Sequence, residues 1–277
     1  MTSDREAFAG KVAVVTGAGS GIGRALALGL TERGARLALS DVDTTGLAET
    51  VRLVEAAGGE AHAQPLDVSE REAVLEYAAT VADHFGVIHQ IYNNAGIAHH
   101  GEVETTEFKD FDRVMDVDFW GVVHGTKAFL PHLIASGDGH VINISSLFGL
   151  LSMPGQSAYN AAKFAVRGFT ESLRQEMLIE QRPVRVTCVH PGGIKTAIAR
   201  NATVSGDHEQ QSVAQLFDKR LARLTPEQAA TIILDGVRKN RPRVLVGADA
   251  IALDLVVRIL GPAYQRVVAV AAKRVLP

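Results

Sequence analysis

The stretch TGAGSGIG, residues 16–23, governs the interpretation of the whole sequence. It closes the apolar, β-branched run KVAVVTG and opens GIGRALALGLTERG, whose apolar spacing is that of a helix ending at Gly34. Gly17, Gly21 and Gly23 allow a tight turn, close approach of the backbone to a phosphate, and close packing of helix on strand. Because a helix N-terminus offers free N–H groups to an anion, the stretch predicts a dinucleotide pyrophosphate site. No Gly-Lys-Ser/Thr follows, which argues against a Walker loop.

The same alternation of strand and helix continues along the chain. Seven runs have the composition of buried strands: KVAVVTG, ARLALSD, EAHAQPLD, VIHQIYNNAG, HVINISS, VRVTCVHPGG and PRVLVG. Helical patterns separate them, the longest over residues 107–136 and 157–181. Regular alternation predicts an α/β protein whose parallel sheet of about seven strands is covered by helices on both faces.

No linker, repeat or low-complexity run divides the chain, so residues 1–277 are expected to form one domain. Within it we expect a cofactor and catalytic core over 10–197, a substrate lid and helix over 198–240, and a last strand with C-terminal helices over 241–277. The polar insertion at about 199–212 is interpreted as either a mobile lid over the ligand or a solvated surface loop.

Composition excludes several functional classes. The net charge is −3, the pI is about 6.4 and the basic residues are scattered among acids, so no nucleic-acid partner is expected. The single cysteine, Cys188, lies in an apolar run, which predicts a buried thiol and a reducing, cytoplasmic location. The first residues carry early acids, unlike a secretory signal. The histidines lack metal-ligand spacing, so no metal site is expected.

The C-terminal segment IALDLVVRILGPAYQRVVAVAAKRVLP is the most apolar part of the chain. Charged residues interrupt it before about 18 uncharged apolar residues accumulate, so no membrane span is expected. Pro262 would kink a helix there. The segment is interpreted as an amphipathic helix pair that covers the core or a subunit interface, or alternatively as a surface for peripheral membrane association.

Two aspartates end predicted strands. Asp41 ends the second strand, 24 residues after Gly17, where a carboxylate can accept hydrogen bonds from the adenosine ribose. It would also repel a 2′-phosphate, and no Arg or Lys follows in DVDTTG to offset that charge, so NAD is favoured over NADP. Asp67 ends the third strand and could either bond the adenine amino group or cap the next helix.

A phenol and an ammonium lie four residues apart in SAYNAAK, residues 157–163. On a helix, Tyr159 and Lys163 would share one face. A free phenol has a pKa of about 10, so a base at neutral pH needs that pKa lowered, and a nearby ammonium lowers it. Taken alone, such a pair is more often an incidental pair on the surface of a helix, and the rest of the chain has to decide.

Five motifs occur in order at strand ends: TGAGSGIG, NNAG at 93–96, NISS at 143–146, YNAAK at 159–163 and PGGIKT at 191–196. Together they resemble the short-chain dehydrogenase/reductase family over roughly residues 10–200. The resemblance implies a single-domain Rossmann-type doubly wound fold and hydride transfer between a nicotinamide and a small-molecule alcohol or ketone. It implies Tyr159 as acid/base and Lys163 as its partner, which also bonds the nicotinamide ribose. Ser146, 13 residues before Tyr159, would orient the substrate oxygen, and its neighbour Ser145 would face away.

The resemblance also implies where the cofactor lies. The expected contacts come from the glycine-rich stretch, two strand ends, the NNAG turn, the catalytic pair and the PGGIKT loop: Gly17, Gly19, Ser20, Gly21, Ile22, Gly23, Asp41, Val42, Asp67, Val68, Asn94, Ala95, Gly96, Tyr159, Lys163, Pro191, Gly192, Ile194 and Thr196. Apolar residues expected beside the substrate are Ile97, Leu147, Phe148, Leu150 and Met153, which suggest an apolar alcohol.

Two features depart from the family pattern. Many relatives carry a catalytic asparagine in a pattern like VN-x-x-G, whereas VDFWG here places Asp118 at that position. Its charge would favour the Lys163 ammonium but oppose loss of the tyrosine proton. The chain also runs about 30 residues past its last strand, so we expect a homodimer through the two long helices, with a homotetramer open. His99 and His100 are expected in a solvated loop, or at the pocket mouth. A nucleotide-sensing protein without hydride chemistry is the alternative function.

Overall fold

Seven parallel strands form the central sheet of the computed structural model, which describes residues 3–196, 198, 201–206 and 224–275. In chain order the strands of the described residues are β1 Val12–Thr16, β2 Arg36–Asp41, β3 Ala61–Pro65, β4 Gln90–Asn93, β5 His99–His100, β6 Gly139–Ile144, β7 Val184–Pro191, β8 Thr203–Val204 and β9 Arg243–Val246. The sheet order is β3-β2-β1-β4-β6-β7-β9, while β5 and β8 form a separate two-stranded sheet. Each of the seven strands falls in a run predicted from sequence, and the parallel sheet is confirmed.

Helices connect the strands and cover both faces of the sheet. Those described are α1 Asp4–Phe8, α2 Gly21–Thr31, α3 Thr44–Ala56, α4 Arg71–Phe85, α5 Phe108–Met115, α6 Gly121–Ala135, α7 Ser157–Ile179, α8 Pro226–Arg238, α9 Ala248–Leu260 and α10 Tyr264–Val275. A π-helical turn, Asp116–Trp120, joins α5 to α6. The two long helical patterns of the sequence therefore correspond to α5–α6 and to α7.

Strands β2 and β3 are added on one side of β1, and β4, β6, β7 and β9 are added on the other side. Strands β1 and β4 pair in parallel, Val14 opposite Ile91, and every residue of both is buried. Loops after β1 and β4 therefore diverge to opposite faces of the sheet and leave a crevice at its carboxyl edge. Open α/β sheets bind their ligands at such a point.

Helices α2 and α8 pack together on one face of the sheet. Leu26 and Leu30 of α2 belong to one buried cluster with Ile233 and Leu234 of α8. A methyl group at Gly29 would lie 2.9 Å from Leu234 Cδ1, so the glycine allows this close approach. The first and last thirds of the chain thus share one hydrophobic core. A second buried cluster on the opposite face involves α4, α6 and α7.

Buried amides link the middle strands to the helices. Asn93 Nδ2 donates to Thr126 Oγ1 at 3.0 Å and to Asn143 Oδ1 at 2.8 Å. Asn143 Nδ2 donates in turn to Thr170 Oγ1 at 2.9 Å. Since buried polar groups must be hydrogen-bonded, this chain of amides fixes the register of β4, β6, α6 and α7 at the edge where the site lies.

The small β5–β8 sheet corrects the prediction for the paired histidines. His99 and His100 are 2% and 5% exposed, so they do not lie in a solvated loop. The imidazole of His99 bonds Thr203 Oγ1 at 2.8 Å and Ser205 Oγ at 3.0 Å. Both histidines therefore anchor residues 203–205 to the body. The rest of the predicted lid at 199–212 lies largely outside the described residues.

Helices α9 and α10 form the predicted C-terminal helix pair. A short turn at Gly261–Ala263 separates them, with Gly261 at φ +52° ahead of Pro262. By length and composition alone the 26-residue stretch Ala248–Lys273 could cross a membrane. In the fold, 11% of its most apolar part is buried. A single stretch of this kind is weak evidence for a span.

Candidate active site

The glycine-rich turn between β1 and α2 has the geometry of an anion cradle. Gly17 and Gly21 have φ of +64° and +52°, in the left-handed region where side chains are strained. A methyl group at Gly23 would lie 2.0 Å from Gly17 O, so only glycine fits there. The side chain of Ser20 makes no capping hydrogen bond, and the first turn of α2 holds no acid. The N–H groups of Ile22 and its neighbours thus remain for a pyrophosphate, and the cradle fits a dinucleotide.

The NNAG turn is tied directly to this cradle. Asn94 Nδ2 donates to Thr16 O at 2.9 Å, and the N–H groups of Asn94 and Ala95 donate to Thr16 Oγ1 at 3.0 and 3.1 Å. Thr16 was not predicted from the sequence, although a hydroxyl at the end of a buried strand indicates a polar contact at that edge of the sheet. Gly19 follows in the same turn, and together these residues place the loops after β1 and β4 side by side.

Asp41 reaches from the end of β2 to the glycine-rich turn. Its Oδ2 accepts from Gly19 N at 2.7 Å, and its Oδ1 accepts from Asp43 N at 2.9 Å. The carboxylate is therefore fixed at the sheet edge beside the turn. Val42, next to it, is 66% exposed and offers an apolar surface. The guanidinium of Arg24 lies close by, but it donates to Gly19 O, Gly46 O and Thr50 Oγ1.

The structure favours the local role for Asp67. Its Oδ1 accepts from the N–H of Ser69 at 2.9 Å and from its hydroxyl at 2.7 Å, which forms a tight turn ahead of α4. Val68 is 6% exposed, and its side chain packs against Gly121, where an added methyl group would lie 2.6 Å from Val68 Cγ2. The carbonyl of Val68 is bonded to the His124 imidazole at 3.0 Å. Because the side chain and the carbonyl of Val68 are both in contact with α6, its backbone N–H is the group that could bond a ligand.

Tyr159, Lys163 and Ser146 converge at the carboxyl edge of the sheet, as predicted. Tyr159 and Lys163 lie one turn apart at the start of α7, with Lys163 Nζ 5.4 Å from the centre of the Tyr159 ring. Lys163 is 3% exposed and donates to Ile144 O at 3.4 Å. Ser146 follows β6, and its hydroxyl lies on the side of Tyr159, whose pKa it acts to lower. The three groups are those expected of a proton-transfer site.

The two neighbouring serines have different partners. Ser145 is 2% exposed and its hydroxyl donates to Lys163 O at 2.8 Å, so it holds α7 against β6. Ser146 Oγ accepts from Phe148 N at 3.1 Å and faces Tyr159. Behind it, the buried His190 Nδ1–H donates to Ser146 O at 3.0 Å. This arrangement supports Ser146, rather than Ser145, as the residue facing the substrate.

Asp118 forms a buried ion pair with Lys163. Its Oδ2 lies 2.9 Å from Lys163 Nζ, and its Oδ1 accepts from Ile97 N at 2.8 Å. Asp118 is 0% exposed and sits in the π-helical turn between α5 and α6, a backbone irregularity that often marks functional sites. A methyl group at Gly96 would be 3.3 Å from both charged atoms, so the NNAG turn covers the pair.

Burial and charge act in opposite directions on these groups. Burial is the largest influence on the Lys163 ammonium and acts to lower its pKa, but Asp118 and Tyr159 together outweigh burial and the pKa is raised. Burial raises the pKa of the Asp118 carboxyl, against the pull of Lys163 and the Ile97 N–H. Burial also raises the pKa of Tyr159. Lys163 and Ser146 oppose that rise, and Asp118 adds to it. The protein's own residues therefore do not lower the tyrosine pKa below its usual value, contrary to the expectation from Lys163 alone.

The loop after β7 closes one end of the crevice. Pro191 ends β7, Ile194 is 3% exposed, and an added methyl group on Gly21 would lie 3.2 Å from Thr196 Cγ2, so the loop reaches the glycine-rich turn. Gly193 N donates to Asp249 Oδ2 at 2.7 Å.

Asp249 also restricts the neighbouring Gly192. A methyl group at Gly192 would lie 2.3 Å from the Asp249 carboxylate, which excludes a side chain there. Asp249 lies in α9. Its contact with the loop was not predicted, because nothing in the local sequence connects Asp249 to residues 191–196.

The apolar residues near Ser146 divide into two groups. Phe148 meets the Tyr159 ring edge-on, with centroids 6.2 Å apart, and Met153 and Ile97 are partly exposed. Leu147 and Leu150 are 7% and 4% exposed and pack in a cluster that includes Ala250 of α9. The expected substrate wall is thus continuous with the C-terminal helices rather than open on all sides.

Comparison with known proteins identifies the fold family. The family model for short chain dehydrogenases matches residues 11–205. The chain belongs to the short-chain dehydrogenase/reductase family. A protein of Mycobacterium tuberculosis assigned as an oxidoreductase, SadH, is 65% identical over 270 residues, which cover 98% of each chain. A family member from Burkholderia phymatum, solved with NAD, is 30% identical with a TM-score of 0.84, covering 91% of this chain and 94% of its own.

Family membership makes this chain an oxidoreductase with a Rossmann-type nicotinamide-cofactor site. It does not fix which cofactor binds. A metagenomic short-chain oxidoreductase solved with NADP is 30% identical with a TM-score of 0.72, covering 87% of this chain and 98% of its own. Relatives thus bind either nicotinamide dinucleotide, and the choice depends on the residues at the end of β2.

Proposed function

We propose that this short-chain dehydrogenase/reductase is an NAD-dependent enzyme that interconverts an apolar secondary alcohol and its ketone. The observation that carries the proposal is the convergence of Ser146, Tyr159, Lys163 and Asp118 beside the glycine-rich turn. The Ser146 hydroxyl acts on the pKa of Tyr159 from close by, and Lys163 Nζ lies 5.4 Å from the centre of the tyrosine ring. One phenol, one hydroxyl and one buried ammonium are the set needed to move a proton on and off a substrate oxygen.

The bound nicotinamide supplies the hydride acceptor for oxidation or the hydride donor for reduction. In the direction of oxidation, Ser146 Oγ donates a hydrogen bond to the substrate oxygen and Tyr159 Oη removes the hydroxyl proton. The hydrogen on the carbinol carbon leaves with its electron pair as that proton departs, so the carbon–oxygen bond becomes a carbonyl. Lys163 stabilises the phenolate by its charge. In reduction Tyr159 returns the proton to the carbonyl oxygen.

The charge at the end of β2 supports NAD over NADP. Gly19 N and Asp43 N hold both oxygens of Asp41 at 2.7 and 2.9 Å, so the carboxylate cannot easily turn away from a ribose 2′ position. A 2′-phosphate there would meet a fixed negative charge. The nearby Arg24 is held in place by its Nε and Nη2, which donate to Thr50 Oγ1 and to the carbonyls of Gly19 and Gly46.

The test follows reduced-nicotinamide formation over a panel of secondary alcohols of increasing chain length, with NAD and with NADP. Wild type should turn over with NAD, and Tyr159→Phe should lose at least about 10²-fold in kcat because the proton acceptor is gone. Tyr77→Phe is the matched control, since it removes the same hydroxyl from a buried tyrosine of α4. Full activity of Tyr159→Phe would overturn the assignment. NAD binding without turnover on any alcohol would favour the nucleotide-sensing alternative.

Assembly and location form part of the same proposal. Exposed aromatic residues on the two long helices, Phe108 at 88%, Trp120 at 47% and Phe164 at 38%, support a homodimer through α5–α6 and α7, with a homotetramer as the larger alternative. Light scattering gives the mass directly. Burial raises the pKa of the Cys188 thiol to about 12, which keeps it protonated and unreactive, in keeping with a cytoplasmic protein.

A further inference from the structure

The C-terminal helices carry the largest group of exposed apolar side chains that the structure describes. Of 17 exposed large apolar residues, eight lie in α9 and α10, and so a tenth of the chain holds nearly half of them. The most exposed include Ile251, Leu255, Ile259, Val267 and Val270, at 55–72%. A soluble surface seldom keeps a patch of this kind without a partner.

The opposite side of these helices is fixed to the body of the protein. Asp249 accepts from Gly193 N at 2.7 Å, and Asp254 forms ion pairs with Arg243 of β9 and with Arg258. Tyr264 Oη accepts from Ser152 N at 3.1 Å. A helix held along one side in this way can lie on a surface, but it cannot cross a bilayer without breaking these bonds.

Charge distinguishes between two possible partners of the exposed side of α9 and α10, a second copy of the chain and a lipid surface. Residues 248–277 hold four basic and two acidic residues, although the whole chain has a net charge of −3. Both acids, Asp249 and Asp254, are bonded as described, whereas neither Arg266 nor Lys273 forms an ion pair within the described part of the chain. A second copy would bring the same excess of cations to this face and be repelled. An anionic lipid surface complements both the apolar side chains and the cations.

The exposed face is also adjacent to the substrate region. The inner side of α9 and α10 contributes Ala250, Val257 and Tyr264 to the cluster that contains Leu147 and Leu150. That cluster begins one residue after Ser146, so the outer face is about one helix diameter, roughly 10 Å, from the segment that follows the catalytic serine. An apolar substrate held in a membrane would therefore meet the enzyme on the side where the chemistry occurs.

We propose that α9 and α10 bind the surface of an anionic bilayer, and that the enzyme takes its apolar alcohol or ketone from that bilayer. The second half rests on the proposed function, whereas the first half does not. Ile259 and its neighbours would insert among the acyl chains at the level of the headgroups, while Arg266 and Lys273 pair with lipid phosphates. The catalytic crevice would then open toward the membrane.

The direct test is flotation of the full-length protein with vesicles of phosphatidylcholine and phosphatidylglycerol, against phosphatidylcholine alone. Wild type should float with the anionic vesicles, and part of the binding should survive 0.5 M salt (on the order of a 4 Å screening length) because it is apolar. Ile259→Asp should weaken binding at least tenfold. Ile179→Asp is the matched control, since this isoleucine is 80% exposed at the far end of α7. No flotation of wild type, or equal loss in both variants, would overturn the proposal.

A second readout separates this proposal from the assigned chemistry. Ile259→Asp should keep wild-type turnover of a short, water-soluble secondary alcohol, and lose turnover of a long-chain alcohol embedded in vesicles. If no alcohol is turned over at all, the proposed function fails while flotation still reports on membrane binding. Light scattering without lipid tests whether the face instead binds a second copy of the chain. If Ile259→Asp halves the mass and wild type does not float, the face is a subunit interface and the membrane proposal is wrong.

Discussion

Replacing Asp118 with asparagine tests the electrostatics of the active site. Asp118 Oδ2 lies 2.9 Å from Lys163 Nζ, which is 5.4 Å from the centre of the Tyr159 ring, so the carboxylate is within about 8 Å of that ring. At an effective dielectric constant of about 20, one unit charge at this distance is worth about 2 kcal/mol, or about 1.5 pH units. The amide keeps the shape of the side chain, and its oxygen can still accept from Ile97 N. Its Nδ2 then faces Lys163 Nζ, so the substitution removes the charge together with the acceptor of the ammonium.

The direction follows from the sign of that charge. Asp118 raises the pKa of Tyr159, so its neutralisation lowers the pKa. Alcohol oxidation needs the deprotonated phenol, and kcat/KM rises with pH through the tyrosine pKa. For Asp118→Asn we expect this rise to move to lower pH by about 1–1.5 units. The free energy of unfolding should also fall, since breaking a buried ion pair by removing one partner typically costs about 3–5 kcal/mol.

The assay is kcat/KM for one secondary alcohol between pH 5 and 10, with urea unfolding of the same samples. Asp116→Asn is the control, because its exposed carboxylate lies two residues away in the same π-helical turn and is screened by solvent. A profile for Asp118→Asn that does not move, or that moves to higher pH, would refute the electrostatic argument. Equal shifts in both variants would show that net charge, rather than the buried pair, controls the tyrosine.

Three further outcomes are expected. Asp41→Ala removes the charge that faces a 2′-phosphate, so the NAD-to-NADP ratio of kcat/KM should fall at least tenfold, measured by initial rates with both cofactors. Asp249→Ala removes the acceptor of Gly193 N and should lower the free energy of unfolding by about 1.5–3 kcal/mol and raise KM for the cofactor, whereas an unchanged KM would show that the loop holds itself. Burial lowers the pKa of His190 to about 4. Its unfolded form therefore binds a proton first as pH falls below about 6.5, and wild type should lose up to about 3 kcal/mol of stability between there and pH 4. His190→Asn keeps a donor to Ser146 O without titrating, and should remove this contribution in chemical denaturation while that of the buried His140, whose pKa is also lowered by burial, remains.

Local sequence patterns were sufficient for the sheet, and the motifs that carry the family resemblance placed Tyr159, Lys163 and Ser146 at one edge of it. An apolar run of residues predicted each strand. Ser146 follows the end of β6, and Tyr159 and Lys163 lie in the first turns of α7. The consequences of burial and of distant contacts could not be predicted in the same way. The partner of Gly193, Asp249, lies 56 residues further along the chain, and the tyrosine pKa depends on how deeply its pocket is enclosed.

The same limit explains one correction and one choice that the sequence leaves open. His99 and His100 look like loop residues because their strand partners, Thr203 and Val204, are about a hundred positions away. Asp67 could bond the adenine amino group or cap the next helix, and the structure adds that its Oδ1 is bonded to Ser69 in the turn before α4. In each case the sequence supplies the residue type, whereas the geometry of the fold supplies its partner.

The packing of α2 against α8 has a consequence for how the protein is made. The helix that carries the glycine-rich turn buries Leu26 and Leu30 against residues 233 and 234, which leave the ribosome some two hundred residues later. Until then the first crossover has an uncovered apolar flank, and pairing of strands distant in sequence folds slowly. A fragment ending before Pro226 would keep that flank permanently open. A nascent chain of this protein therefore gains a complete nucleotide-binding half only after α8 has been synthesised.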